Sequence, residues 1–403
     1  MLRRQLPVYS PIRVSALASA AAAAWRNGTV DRESLAAHLT ASFGARRALL
    51  TDSGTSALIL ALRILVGRGG TVAFPGYACV DLAAAARFAG VKVRLYDIDP
   101  ATLSPDLDSV SRVLDHGVAA VVVAHLYGFP ADVPGVADLA LAHGASVIED
   151  AAQGAGGTLH GRPLGSFGVL TVLSFGRGKG ITGGSGGALL AITPEMAGRL
   201  ESLDGAAATG AGWRDVAVAT AQWTLGRPVL YSIPSAMPGL RLGEMVFRPA
   251  HEPRSISSGA AAMVCVALRA AEREVAVRRR NAAALTSEVV DGAGLAPITP
   301  VTGGTSGYLR FPVRDREHRS EDRHLGIMRG YPLTLAEQPE LRPSLYPNES
   351  SPVGAAELRR SLFTLPVHSR VTERDVSRLA LWLRSASVQR SIPPPGLTRN
   401  DTT

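Results

Sequence analysis

Six short apolar runs rich in Val, Ile and Leu, at residues 49–51, 71–74, 91–96, 119–124, 145–148 and 170–175, alternate with helical stretches through the first part of the chain. Each run is too short for a helix, and all but 91–96, which alternates, are too apolar for a strand with one face in water. Strands buried on both faces and separated by helices form a mostly parallel sheet: parallel pairing needs long crossovers, and the crossover helices cover the faces. The chain is thereby committed to an α/β fold in which ligands lie beyond the carboxyl ends of the strands. The loops that follow these runs are where chemistry is expected.

The pattern changes after residue 190. Residues 213–242 are apolar but broken by Pro228, Pro234 and Pro238, which predicts a helix followed by an irregular packed segment, either a dimer surface or a wall of the substrate site. Helical sequence resumes over 258–290, and a strand-like stretch at 307–313 opens a smaller unit. A chain of 403 residues exceeds what one core usually organises. The expected division is a large α/β domain at 1–245, a smaller α+β domain at 246–386 and a disordered tail at 387–403, where Pro393, Pro394 and Pro395 stand among polar residues.

With 46% hydrophobic and 19% charged residues, the composition is that of a soluble globular protein. The net charge of +8 is scattered, with clusters such as Arg278, Arg279 and Arg280 rather than one basic run. It reads as solvated helix faces plus a few anion-binding arginines, not as a nucleic-acid surface. Cys79 and Cys265 are far apart and in no metal-ligand spacing, so neither a disulfide framework nor a metal site is indicated, and a reducing cytoplasm fits best. The alanine-rich N-terminus faintly imitates a signal peptide, but Pro7 and Pro11 interrupt it and residues 15–27 read as an amphipathic helix. No apolar run is long enough to span a membrane.

Of 42 basic residues only Lys92 and Lys179 are lysines; the other 40 are arginine. Arginine replaces lysine well on a surface but cannot form an imine, so a surviving lysine is a candidate for chemical work. Lys92 lies in an alternating strand pattern and needs no special reason. Lys179 lies instead in Gly176-Arg177-Gly178-Lys179-Gly180, after the last of the six runs. Glycines on both sides let an amine approach a cofactor closely. A P-loop is the sharpest competitor, but Gly180 stands where it would need Ser or Thr, and a dinucleotide fingerprint would follow the first strand.

Two more segments carry candidate chemistry. Thr51-Asp52-Ser53-Gly54-Thr55-Ser56 places hydroxyls and a glycine between a strand and an apolar helix at 57–65, either a phosphate cradle or a plain N-cap. Glu149-Asp150-Ala151-Ala152-Gln153 ends a buried run with carboxylates, and an acid there either pairs with a pyridine nitrogen or caps the next helix. Singly each is ambiguous. Together they supply a phosphate cradle, a pyridinium partner and an imine lysine along one sheet.

On those residues, with Gly165-Ser166-Phe167-Gly168, Ser174-Phe175 and Gly186-Gly187, and more weakly Tyr308-Leu309-Arg310-Phe311-Pro312 and Leu365-Pro366-Val367-His368, the chain resembles the DegT/StrS-type sugar aminotransferase family. The resemblance runs from about Leu6 to Leu383. It implies a fold type I pyridoxal 5'-phosphate (PLP) transferase with a seven-stranded type of sheet, acting as a homodimer. It implies ping-pong transfer of an amino group from glutamate or glutamine to a keto sugar, nucleotide-linked, in sugar, polysaccharide or secondary-metabolite biosynthesis. Lys179 would be the Schiff-base lysine and general base, Asp150 the pyridinium partner and Gln153 a neighbour of the cofactor ring; Gly54, Thr55 and Ser174 would bind phosphate.

Cys79 stands where many family members have an aromatic ring stacked on the cofactor, so either this thiol or Tyr77 must cover that face. The family's asparagine motif before the helix near Ala260 is not visible in Pro253-Arg254-Ser255-Ile256-Ser257. These departures leave the acceptor open, an aminocyclitol or other cyclic ketone included. Related dehydratases carry histidine in place of the lysine, which Lys179 argues against; a non-catalytic PLP-binding regulator is the other alternative. His125 and His368 read as hydrogen-bonded structural histidines ahead of cofactor contacts.

Overall fold

All six runs become strands of one sheet. The computed structural model describes residues 4–203, 210–232, 246–289, 294–317 and 319–385; segment 233–245 and the expected tail at 387–403 lie outside the described residues. In chain order the strands are β1 (Arg47–Thr51), β2 (Thr71–Pro75), β3 (Lys92–Tyr96), β4 (Ala120–Ala124), β5 (Ser146–Asp150), the two-residue β6 (Thr158–Leu159) and β7 (Arg162–Pro163), β8 (Leu170–Ser174) and β9 (Gly187–Ala191). The main sheet has seven strands in the order β1-β9-β8-β5-β4-β2-β3. Six run parallel and β9 alone is reversed, antiparallel to both its neighbours. β4 and β9 are buried along their whole length, as crossover helices on both faces require.

The pattern of apolar runs missed β9. Gly187-Ala188-Leu189-Leu190-Ala191 has no β-branched residue and follows a glycine run, so nothing local favours a strand. It becomes one because it fills the gap between β1 and β8. The N-terminal helix forms almost as expected, Val14–Arg26, and stops at Asn27 in a left-handed conformation (φ 47°).

Two other boundaries moved. The helix expected over 258–290 is two helices, Ser258–Leu268 and Ala271–Thr286. No Gly or Pro lies at the break, so tertiary packing makes it: the first helix packs on the two N-terminal helices, Val14–Arg26 and Val30–Phe43, and the second turns to a separate sheet. The strand expected over 307–313 begins only at Phe311. Ahead of it, Gly307 and Leu309 donate their N–H groups to the carbonyls of Gly128 and Tyr127, in the loop after β4.

The second sheet is antiparallel, in the order β10 (Leu295–Pro297), β12 (Phe311–Asp315), β14 (Leu362–Leu365) and β13 (Met328–Arg329). Helices Ala271–Thr286 and Glu373–Arg384 pack Ala282, Leu285, Leu379 and Leu383 against Phe311, Val313, Phe363 and Leu365. A short strand β11 (Gly304–Thr305) pairs with β6. Among the described residues no helix is long and apolar enough to cross a membrane.

Candidate active site

The loops after β1, β2, β5 and β8 gather the expected site residues at the carboxyl edge of the main sheet. After β1, Ser53 caps the helix Gly54–Leu65, its Oγ accepting the Ser56 N–H at 3.0 Å, and the Ser56 hydroxyl donates to Asp52 Oδ1 at 2.6 Å. The amides of Gly54 and Thr55 come earlier in that first turn, where no intrahelical acceptor exists and the helix dipole favours an anion. A Cβ built on Gly54 would lie 2.8 Å from Ser174 Cβ. Glycine at 54 is therefore what lets the capped turn sit against Ser174, the last residue of β8.

At the end of β5 the two carboxylates part. Glu149 faces inward, fully buried, accepting N–H groups from Gly165 (2.6 Å), Phe167 (2.7 Å) and Gly168 (2.9 Å) and facing His125 Nε2 at 2.8 Å. Burial alone would lift its pKa, but the His125 hydrogen bond and the amides of Gly168 and Phe167 outweigh it and hold the carboxyl below its ordinary value. His125 Nδ1 accepts the Ala131 N–H, so by the hydrogen-bond pattern its proton is on Nε2 and goes to Glu149. Glu149 and His125 are thus a closed structural pair, as expected for the histidine.

Asp150 faces the other way and is half-buried. Its Oδ1 accepts the Ala152 N–H at 3.0 Å, and no described residue donates to Oδ2. Burial raises its pKa, against the opposing charge of Lys179. Lys179 is half-buried in the loop after β8, between Gly178 (φ 79°) and Gly180 (φ 83°). Both glycines are required on two grounds: the left-handed backbone, and Cβ positions that would fall 2.9 Å from Val8 Cγ1 and 2.8 Å from Ala155 Cβ. Among the described residues the Lys179 amine has neither a hydrogen bond nor an ion pair, and its charge acts on Asp150 and Cys79.

Of the two candidates for the ring face, Tyr77 is fully buried and built into the wall, its hydroxyl accepting the Tyr331 N–H at 2.7 Å. The Cys79 thiol is half-buried and donates to Asp81 Oδ2 at 3.3 Å; burial, with Asp81 beside it, pushes its pKa up. Gln153 is held at both ends, Oε1 accepting the Tyr127 N–H at 3.1 Å and Nε2 donating to the Tyr331 hydroxyl at 2.7 Å.

Two features were not visible in the sequence. Tyr331, from the segment after β13, enters the site wall from far along the chain, and no local signal marks it. Arg278, expected on a solvated helix face, is 2% exposed. Its Nη2 donates to the Ala155 carbonyl at 2.8 Å, Nη1 lies 3.1 Å from where a Gly180 Cβ would be, and burial lowers its pKa to about 10. Its period-3.6 alignment with buried Glu274 and Ala282 is the one signal that could have placed it inside. His368 is also structural, with Nε2 on the Leu6 carbonyl at 2.9 Å. Among the described residues no group of His, Cys, Asp or Glu side chains is placed to hold a metal.

The sequence model of the DegT/DnrJ/EryC1/StrS aminotransferase family matches residues 13–384. The chain is 32% identical over 343 residues to an L-glutamine:2-deoxy-scyllo-inosose aminotransferase from Streptomyces kanamyceticus, a match covering 81% of this chain and 75% of that one. It is 32% identical over 209 residues to a dTDP-4-dehydro-2,3,6-trideoxy-D-glucose 4-aminotransferase from Saccharopolyspora spinosa, a match covering 50% of this chain and only 54% of that relative's length. Its fold matches the crystal structure of the aminotransferase TlmJ from Streptoalloteichus hindustanus with a TM-score of 0.73 and 25% identity, over 94% of this chain and 98% of that one.

Proposed function

The chain belongs to the DegT/DnrJ/EryC1/StrS aminotransferase family, and from that premise we propose that it moves an amino group from glutamine or glutamate to a ring ketone, with PLP held on Lys179. One observation carries the reading. An amine with no hydrogen bond or ion pair among the described residues stands between two glycines at the carboxyl edge of the sheet, where its charge acts on Asp150.

The residues present fit the cofactor. First-turn amides of Gly54 and Thr55, with the Ser174 hydroxyl packed against them, form a phosphate cradle that a side chain at position 54 would fill. Asp150 offers Oδ2 to a protonated ring nitrogen, and such a cation would offset the burial that otherwise disfavours its charge. Cys79 and Gln153 would flank the ring. When bound, the group supplies an electron sink for loss of a proton from the carbon bearing the amine.

The protein's own part is positioning and proton transfer. Lys179 Nζ is the group that would hold the cofactor, and as a free amine it would take and return the proton as general base. Asp150, in its ionised form, would hold the proton on the ring nitrogen. The Glu149–His125 pair stiffens the strand end that carries Asp150, since His125 also donates its own N–H to the Asp150 carbonyl at 3.1 Å.

The acceptor is a keto sugar, nucleotide-linked, or a keto-cyclitol. The relative named for 2-deoxy-scyllo-inosose aligns over more of this chain than the one named for a dTDP-sugar, which supports keeping the cyclitol in view. The reading carries a cytoplasmic homodimer; Trp213, Val218 and Leu225 on the helix Trp213–Leu225 offer exposed apolar surface to a second copy. Purified protein given PLP is expected to develop a near-visible absorbance band, which borohydride abolishes while adding cofactor mass to the peptide containing Lys179. Lys179→Ala removes both capture and amino exchange. Retention of both by that variant overturns the proposal.

A further inference from the structure

Cofactor attachment leaves three buried tyrosines unexplained, and they arrive from three separate parts of the chain. Tyr77 follows β2, Tyr127 follows β4, and Tyr331 follows β13 of the second sheet. The Tyr331 ring lies between the other two, its centroid 5.1 Å from Tyr77 and 5.4 Å from Tyr127, the latter nearly parallel at 26°. Its backbone is pinned as well, through the N–H donated to the Tyr77 hydroxyl at 2.7 Å. The preceding residue must be glycine, because a Cβ on Gly330 would lie 2.0 Å from that same oxygen.

Aromatic packing accounts for three rings in contact. It does not account for what they do to Gln153. The Tyr331 hydroxyl accepts from Gln153 Nε2 at 2.7 Å while the Tyr127 N–H donates to Gln153 Oε1 at 3.1 Å. Tyr127 presents that N–H from a left-handed backbone (φ 55°), an arrangement a non-glycine residue adopts at a cost. A flipped amide would set two donors against each other at Tyr127, so the orientation is fixed as well as the position.

We infer that Tyr331 is a positioning residue for Gln153: it fixes the amide that faces the cofactor ring, and being carried by the segment after β13 it ties that amide to the placement of the second sheet. The inference rests on Gln153 neighbouring the cofactor held at Lys179. Movement of the second sheet toward or away from the main sheet would therefore be felt at the ring face through one side chain.

Tyr331→Phe keeps the ring and deletes only the acceptor. In the cofactor-free chain labelled with 15N-glutamine, the Gln153 side-chain amide, assigned with Gln153→Leu, is expected to exchange with solvent much more slowly than a free glutamine side chain. In Tyr331→Phe that exchange accelerates about fivefold or more, the value of one neutral hydrogen bond. In the PLP-loaded protein, Tyr331→Phe lowers the rate constant of the half-reaction with the amino donor by about the same factor, with the donor's half-saturation concentration unchanged and the melting temperature only slightly lowered. That loss disappears when Gln153 is already Leu. A wild-type Gln153 amide that exchanges as fast as free glutamine overturns the inference without any variant being needed. So does an equal loss from Tyr331→Phe in the wild-type and Gln153→Leu backgrounds. A wild-type chain that fails to capture PLP at Lys179 would instead remove the proposed function and leave the amide measurement standing.

Discussion

Glu149 and Asp150 are neighbours on one strand and carry the same charge, yet they serve opposite sides of the sheet. Behind it, Glu149 faces three backbone amides and His125, all within 2.9 Å. In front, Asp150 has one amide and, across the site, the charge of a lysine that no other described group engages. The alternation of a strand sends consecutive side chains to opposite faces, so one carboxylate closes a turn while the other is left open for a ligand. A buried charge with every lone pair used marks structure; one that is partly open and faces an unpaired opposite charge marks a site.

That contrast can be broken by experiment. Asp150→Asn should cost the larger effect, at least about 1,000-fold in kcat/KM, with the melting temperature unchanged or slightly raised, because a desolvated charge is removed and no hydrogen bond within the fold is lost. A variant that unfolds instead would put Asp150 in the structural class. Glu149→Gln sets an amide N–H against backbone donors and should cost about 3 kcal/mol of stability by denaturant titration, while the folded fraction keeps near-normal turnover. Loss of turnover without loss of stability would invert the comparison.

His368 sharpens it with a smaller, pH-dependent effect. Burial, reinforced by Arg278, Arg370 and Arg310 and only partly opposed by the Leu6 carbonyl, holds its pKa down to about 4, against 6.5 for a free imidazole. Between those values the unfolded chain binds a proton that the folded chain refuses, so this residue's contribution to stability falls as pH drops through 6.5 and levels off below 4. The cost is about 1 kcal/mol at pH 5.5, rising to about 3 kcal/mol near pH 4. His368→Asn, followed by thermal melts across that range, should flatten this part of the profile; an unchanged slope would show that His368 is not the group responsible.

The main sheet was legible because its strands carry their own signal. Val121 to Val123, Val147 and Ile148, or Val72 to Phe74 can only be two-face-buried strands, and Lys179 stood out because arginine had replaced every other lysine but Lys92. β9 carried no such signal, since Ala and Leu are strand residues there only by position between β1 and β8. The continuous helix expected over 258–290 failed for the same kind of reason: its break at Arg269 and Ala270 serves packing against two different partners, and the local sequence continues straight through it.

The sequence alone determined the parallel sheet and placed Gly54, Asp150 and Lys179 at the carboxyl ends of its strands. Those are local quantities, written as period, apolarity and glycine placement within short windows. Only the tertiary structure decided which carboxylate stays open, that Tyr77 is fully buried with its hydroxyl on the Tyr331 N–H, that Arg278 is buried, and that Tyr331 arrives from the segment after β13 to hold Gln153. Each of these depends on contacts between residues far apart in the chain, and a one-dimensional pattern carries no information about which distant group will supply or withhold a hydrogen bond.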